Sequence, residues 1–217
     1  MRLPVLAAAA ALLLASGCIS SARQDRAHGQ TRLGSAYLQE GDAPGAVTVL
    51  EEAVKLDRRN WNAWNKLALT YLALGATEKA ETAFLRAIKL VPESGEANNN
   101  YGYMLTRVGR YEEAGTYYDI ASKDLTYRKT ALIYSNWGHS LYLNGRYDDA
   151  ILKLNTAVQR APNLCQARFN RGLALEASGD KKRALDDFEA VINLCGESAS
   201  GAYLQAGRVL LDQVDRP

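Results

Sequence analysis

Histidine, cysteine and proline are all scarce in this chain of 217 residues, which contains two, three and five of them respectively. The two histidines, His28 and His139, leave no cluster with metal-ligand spacing, and no phosphate-binding glycine loop or nucleophile motif is present. A formal net charge of +2 supplies no basic field for nucleic acid. We therefore expect no enzyme, no metal or other cofactor, no small-molecule substrate and no nucleic-acid partner.

The N-terminal residues have the composition of an export signal. Arg2 precedes an apolar run at residues 5–15, which is shorter than the roughly 20 residues that a membrane-spanning helix needs. Residues 1–17 are therefore predicted to be a signal peptide. Residues 15–18, Ala-Ser-Gly-Cys, resemble the lipobox of bacterial lipoproteins, although Ala15 stands where that family prefers leucine.

The lipobox resemblance implies that Cys18 is lipidated and becomes the mature N-terminus, with residues 18–26 as a tether to the membrane. Residue 19 is Ile rather than the Asp that resembles an inner-membrane retention signal. The resemblance thus implies the periplasmic face of the outer membrane. The alternative is ordinary secretory cleavage near Gly17, with Cys18 incidental.

Small residues recur along the rest of the chain with a period close to 34. Three columns keep the same register: Gly41, Gly75, Gly109, Gly145 and Gly179; Ala46, Ala80, Ala114, Ala150 and Ala184; Gly34, Ala68, Gly102, Gly138 and Gly172. This period resembles that of the tetratricopeptide repeat, a pair of antiparallel helices. We predict an all-α, right-handed superhelical solenoid of five repeats over residues 27–198. Residues 199–217 are expected to add a polar C-terminal capping helix.

The second repeat shows how the pattern specifies two helices. Trp64, Leu67, Ala68 and Tyr71 share one helical face, and glycine at position 75 suits the left-handed turn that ends a helix. In the third repeat, the segment from residue 122 to residue 130 is two residues longer than its equivalents.

Cys165 and Cys195 begin and end the fifth repeat. Because the two helices of a repeat are antiparallel, those ends should lie side by side, and the periplasm is oxidising. A disulfide is predicted. The alternative is a pair of buried thiols packed as small apolar residues, whereas zinc is disfavoured by the lack of a nearby histidine.

In repeats of this kind, the first helices line the inner face of the solenoid, where a partner binds. The candidate groove residues are Asn65, Asn99, Asn100, Tyr103, Asn136, His139, Tyr142, Phe169 and Asn170. The amides can hold a peptide backbone, and the rings supply contact area. The alternative for the asparagines is that they cross-link neighbouring helices. The guest could be an extended peptide or an amphipathic helix.

The segment from residue 99 to residue 138 resembles the PilF/PilW/Tgl family of type IV pilus pilotins. The resemblance is carried by Asn99, Asn100, Tyr101, Gly102, Arg110, Tyr111, Glu112, Glu113, Ala114, Ala121, Ser122, Leu125 and Tyr127. It implies an outer-membrane lipoprotein that binds the secretin subunit of the pilus and promotes its localisation and multimerisation. That family typically has six repeats. The alternatives are a scaffold for another secretion system, such as a Tad-type pilus, and an adaptor for peptidoglycan enzymes.

Overall fold

The computed structural model describes the backbone of residues 4–214 and the side chains of residues 21–196 and 198–211. Over the described backbone there are eleven α-helices, one short 3₁₀ helix and no β-strand. The chain divides into two compact units, Met1–Pro92 and Glu93–Pro217. In both units, consecutive helices pair as hairpins, so the all-α repeat architecture predicted from the sequence is confirmed.

The first unit holds two helix pairs: α1 (Pro4–Glu40) with α2 (Ala43–Leu56), and α3 (Trp61–Ala73) with α4 (Thr77–Leu90). Helix α1 continues through residues 18–26, which the sequence analysis assigned to a tether. Gln30 Nε2 on α1 donates to Glu52 Oε2 on α2 at 3.1 Å, so the N-terminal part of the repeat is tied to its partner helix. The predicted lipidation site, Cys18, lies outside the described side chains.

The second unit holds three helix pairs and one further helix. The pairs are α5 (Gly95–Arg107) with α6 (Tyr111–Ser122), α7 (Thr130–Leu143) with α8 (Tyr147–Arg160), and α9 (Cys165–Ala177) with α10 (Lys181–Cys195). A 3₁₀ helix at Gly196–Ala199 then leads into α11 (Ser200–Val214). The disulfide between Cys165 and Cys195 joins the beginning of α9 to the end of α10.

Each helix pair closes where a small residue on the first helix meets a large side chain on the second. A Cβ atom placed on Gly172 would lie 2.5 Å from Phe188 Cε1, and one on Gly102 would lie 2.9 Å from Tyr118 Cε1. Gly34 and Gly138 meet Leu50 and Leu154 in the same way. Because a Cβ at these four glycines would collide with the facing side chain, the column fixes how closely the two helices approach.

The turn inside each pair uses the other glycine column. Gly41, Gly75, Gly109, Gly145 and Gly179 all have positive φ, between 75° and 93°. Residues with a Cβ rarely adopt that conformation, so glycine ends each first helix and starts the reversal into the second.

Another contact between the two helices of a repeat joins residues sixteen positions apart in the chain. The residue types that make this contact differ among the repeats of the second unit. Tyr101 and Tyr117 pack edge to face with ring centroids 4.6 Å apart. In the next repeat, Lys153 Nζ lies 3.4 Å from the centroid of the Trp137 ring. In the last repeat, Arg171 donates to both carboxylate oxygens of buried Asp187 at 2.7 Å. The helix pairing therefore tolerates aromatic, cation–π and ionic contacts at one place.

Helix α11 covers the last repeat, but its outer side is not the polar surface expected from the sequence. Ala202, Ala206 and Val209 are buried in the cluster that includes Phe188 and Val191. The opposite side exposes four large apolar side chains: Tyr203, Leu204, Leu210 and Leu211. Of its polar residues with described side chains, Gln205 is half-buried and Arg208 pairs with Glu176 on α9.

Candidate functional site on the inner face of the second unit

The inner face of the second unit is formed by α5, α7 and α9. Helix α7 packs against both α5 and α9, so the three first helices stand side by side. Asn136 Nδ2 on α7 donates to Asn99 Oδ1 on α5 at 3.0 Å, and Asn99 Nδ2 donates to Asn100 Oδ1 at 3.4 Å. On α9, Gln166 Nε2 donates to Asn170 Oδ1 at 2.9 Å. Amides on this face thus bond to side chains within the protein.

Three of the asparagines predicted to line a groove are not at the surface. Asn65 in the first unit, and Asn99 and Asn170 in the second, are buried. In the unbound chain these three amides are therefore not accessible to a partner. For Asn99 the physical reason is direct. Its side-chain oxygen accepts a hydrogen bond from the side-chain amide of Asn136 on α7, as the cross-linking alternative proposed. Asn100 and Asn136 are half-buried and keep part of their amides at the surface.

The accessible rings of the inner face are Tyr103 on α5 and His139 and Tyr142 on α7, which we call the aromatic face. Tyr103 is 41% exposed. The rings of His139 and Tyr142 stack with centroids 6.4 Å apart, and Tyr142 also meets Tyr147 at 6.0 Å. Partial burial lowers the pKa of His139 below its ordinary value of 6.5. The face offers ring edges and amides to a peptide.

Phe169 has a different role from the other rings. It packs against Phe188 with ring centroids 5.9 Å apart and belongs to the edge of the last apolar cluster. A Cβ atom on Gly201 of α11 would lie 3.2 Å from its ring, so α11 covers one side of Phe169. This residue supports the packing of α11 and offers only part of its surface to a partner.

Sequence reasoning missed two features of the second unit. The first is a depression of about 340 Å³ beside Tyr142, which is also lined by Leu173, Glu176, Ala177, Lys181 and Arg208. Arg208 Nη2 lies 2.6 Å from Glu176 Oε1 there. Because Arg208 lies on α11, outside the five repeats, the repeat pattern gave no sign that it would meet α9.

The second missed feature is the turn made by the longer segment after α6. Asp124 accepts hydrogen bonds from the Thr126 amide at 2.8 Å and from the Gly95 amide at 2.7 Å, which fixes the turn to the start of α5. Leu125, which lies between Asp124 and Thr126 in this turn, is 99% exposed. The sequence marked Leu125 only as part of a family resemblance, since its exposure depends on this tertiary clamp.

Catalytic and metal chemistry has no visible support within the described residues. They contain no group of three or more histidine, cysteine, aspartate and glutamate side chains placed to hold a metal ion. Among the described helices, none combines the length and apolarity required to span a bilayer. The surface offers shallow depressions, rings and amides, which suit contacts with a polypeptide.

The repeat geometry agrees with a family model for the tetratricopeptide repeat, which matches residues 31–93, 66–124 and 135–203. The chain belongs to the tetratricopeptide repeat family. Such repeats occur in proteins of very different size. For example, anaphase-promoting complex subunit 3 of Schizosaccharomyces pombe is 27% identical to this chain over 151 residues. The chain spans only 22% of that relative's length.

Another relative matches over most of both chains. Type IV pilus assembly protein PilF of Pseudomonas aeruginosa is 29% identical over 197 residues, which cover 78% of each chain. The crystal structure of PilW, a widely conserved type IV pilus biogenesis factor, superposes with a TM-score of 0.76 at 25% identity and covers 86% of this chain and 89% of that one. A structure of P. aeruginosa PilF has a TM-score of 0.78 at 20% identity, which shows the shared fold. The protein is thus a tetratricopeptide protein related to type IV pilus biogenesis factors.

Proposed function

We propose that this protein is an outer-membrane lipoprotein pilotin, which binds the secretin subunit of a type IV pilus and promotes its localisation and multimerisation. The observation that carries the proposal is the match to PilF over 78% of both chains. A shared repeat alone would favour any repeat protein equally. A match over about four fifths of both chains to a pilus assembly protein favours a pilus role.

The aromatic face is the surface that we assign to the secretin. Tyr103, His139 and Tyr142 provide rigid contact area at low cost in side-chain entropy, and Asn100 and Asn136 lie beside them on the same two helices. A segment of the secretin would lie across α5 and α7. Tethering this surface to the membrane would raise the local concentration of secretin subunits where they must assemble.

Membrane attachment is the part of the proposal that rests on the lipobox resemblance. Lipid chains on Cys18 would supply the anchor, since stable attachment needs more than one chain. The substitution Cys18→Ala should move the protein out of the outer-membrane fraction. Unchanged fractionation of that variant would contradict the lipoprotein assignment.

The functional experiment is to delete the gene and follow the pilus secretin in outer-membrane fractions on unheated gels with an immunoblot. We expect heat-sensitive multimers to disappear and monomer to accumulate. Complementation should succeed with Leu152→Ala, which alters an exposed leucine on α8, and fail with Tyr103→Ala combined with Tyr142→Ala. Intact multimers in the deletion strain would contradict the pilotin role and favour a scaffold for another system or for cell-wall enzymes.

A further inference from the structure

The outer side of α11 is an apolar stripe on the second unit. Tyr203, Leu204, Leu210 and Leu211 are 54%, 73%, 46% and 66% exposed. The inner side of the same helix is fully used, because Ala202, Ala206 and Val209 are buried in the last cluster. The exposed stripe therefore does not result from loose packing of the helix, whose inner side is in the core.

The stripe is symmetric about its own midpoint. Tyr203 and Leu204 lie four and three residues before Gly207, and Leu210 and Leu211 lie three and four residues after it. Residues at these spacings fall on one face of a helix. Among the residues with described side chains, a Cβ atom on Gly207 would meet nothing within 4 Å, so none of their contacts calls for glycine there.

We propose that α11 packs against α11 of a second copy of this chain, antiparallel, with the two Gly207 residues at the crossing point. A two-fold interface must present the same patch from both copies, so a patch that is symmetric about its midpoint complements itself. In this register, Leu204 of each copy lies beside Leu210 of the other, and Tyr203 lies beside Leu211. Glycine at the crossing lets the two helix backbones approach closely.

The available area sets the strength of the pair. At the observed exposures the four side chains offer roughly 500 Å² per copy, so a dimer would bury about 1,000 Å², at the lower end for specific interfaces. No charged side chain lies among the four, and neighbouring Arg208 is engaged by Glu176 of its own chain. The interface is therefore apolar and weak enough to exchange, and it does not depend on the pilotin role.

Cysteine cross-linking of the full chain in cells tests the register. Gly207→Cys should give a disulfide-linked dimer on non-reducing gels, because residues at the crossing come within the Cα separation that a disulfide allows. Leu204→Cys and Leu210→Cys should cross-link when the two variants are co-expressed, and neither should do so alone. The chain without added cysteine is the background control.

A charge exchange tests the same pairing with Gly207→Cys as the only added cysteine. On the Gly207→Cys background, Leu204→Lys should lower the dimer yield at least tenfold. Adding Leu210→Glu to the same chain should restore most of it, since each lysine then lies beside a glutamate of the other copy. Leu152→Lys, at an exposed leucine on α8, is the matched control and should leave the yield unchanged.

Several results would overturn the dimer. Cross-linking of Leu204→Cys with itself would mean a parallel arrangement, and adducts only with other proteins would assign the stripe to a different partner. A tenfold loss with Leu204→Lys that Leu210→Glu does not repair would also contradict the register. Unchanged circular dichroism of the variants shows that the fold is kept.

Discussion

The ion pair between Arg171 and Asp187 illustrates how single residues adapt a shared repeat. The other first helices carry an apolar or aromatic side chain at this place, and Arg171 departs from them: Leu33, Leu67, Tyr101 and Trp137. The structure supplies the compensation: buried Asp187 accepts both guanidinium bonds, and Asn155 Oδ1 accepts a third from Arg171 at 2.9 Å. In the second repeat the equivalent positions hold Leu67 and Ala83.

This comparison gives a prediction for stability. Asp187→Ala should lower the free energy of unfolding by about 3 kcal/mol, at the low end for a buried pair, because it leaves the partly buried guanidinium of Arg171 without its carboxylate. The double variant Arg171→Leu with Asp187→Ala copies the second repeat and should recover most of that loss. Urea unfolding of the two variants measures the difference. A double variant no more stable than Asp187→Ala would contradict the account.

His139 gives a prediction for pH dependence. Burial lowers its pKa below 6.5, so below that pH the unfolded chain binds a proton that the folded chain does not, and stability falls as the pH falls. Above pH 6.5 the contribution is fully present. Unfolding measured between pH 7 and pH 5.5 should show this loss, and His139→Gln should reduce it. Tyr103→Phe, a substitution on the same face that leaves His139 in place, should keep the wild-type change of unfolding free energy with pH. An equal change with pH in wild type and His139→Gln would contradict the prediction.

At the scale of helices, the disulfide holds the last repeat together. Cys165 and Cys195 are 30 residues apart, and cross-linking that loop should stabilise the folded state by about 3.5 kcal/mol in the chain-entropy model. The double substitution to alanine should therefore lower the melting temperature, and a reductant should do the same to the wild type. A reductant should have no further effect on the double variant. A wild type insensitive to reduction would show that the bond adds little.

The helices also mark where sequence reasoning succeeded and where it stopped. Two of the three small-residue columns show why the helix pairs could be predicted, because each meets one local demand: close approach in Gly172 against Phe188, and a left-handed turn in Gly179. The asparagines were harder, since periodicity places Asn99 on the inner side but does not show that α7 closes over it. For α11, the polar residues were visible in the sequence, but their phase relative to the core was not.

At the scale of the whole molecule, five repeats and one further helix present two surfaces of different character. The aromatic face combines half-buried rings with amides and suits a polypeptide guest. The stripe on α11 is purely apolar and symmetric, and suits a second copy. The length of the match to PilF supports a pilus role for the chain. The residues proposed to contact the partner were assigned instead from the accessibility of their side chains.

The most direct measurement is site-specific photo-crosslinking in cells that assemble the pilus secretin. A photoreactive phenylalanine analogue at Tyr103, on the aromatic face, should give an adduct that contains the secretin. The same analogue at Leu152, an exposed residue on α8, should not. Secretin adducts from position 103 alone would support the account. No adduct at position 103 while multimers assemble normally, or equal adducts from both positions, would contradict it.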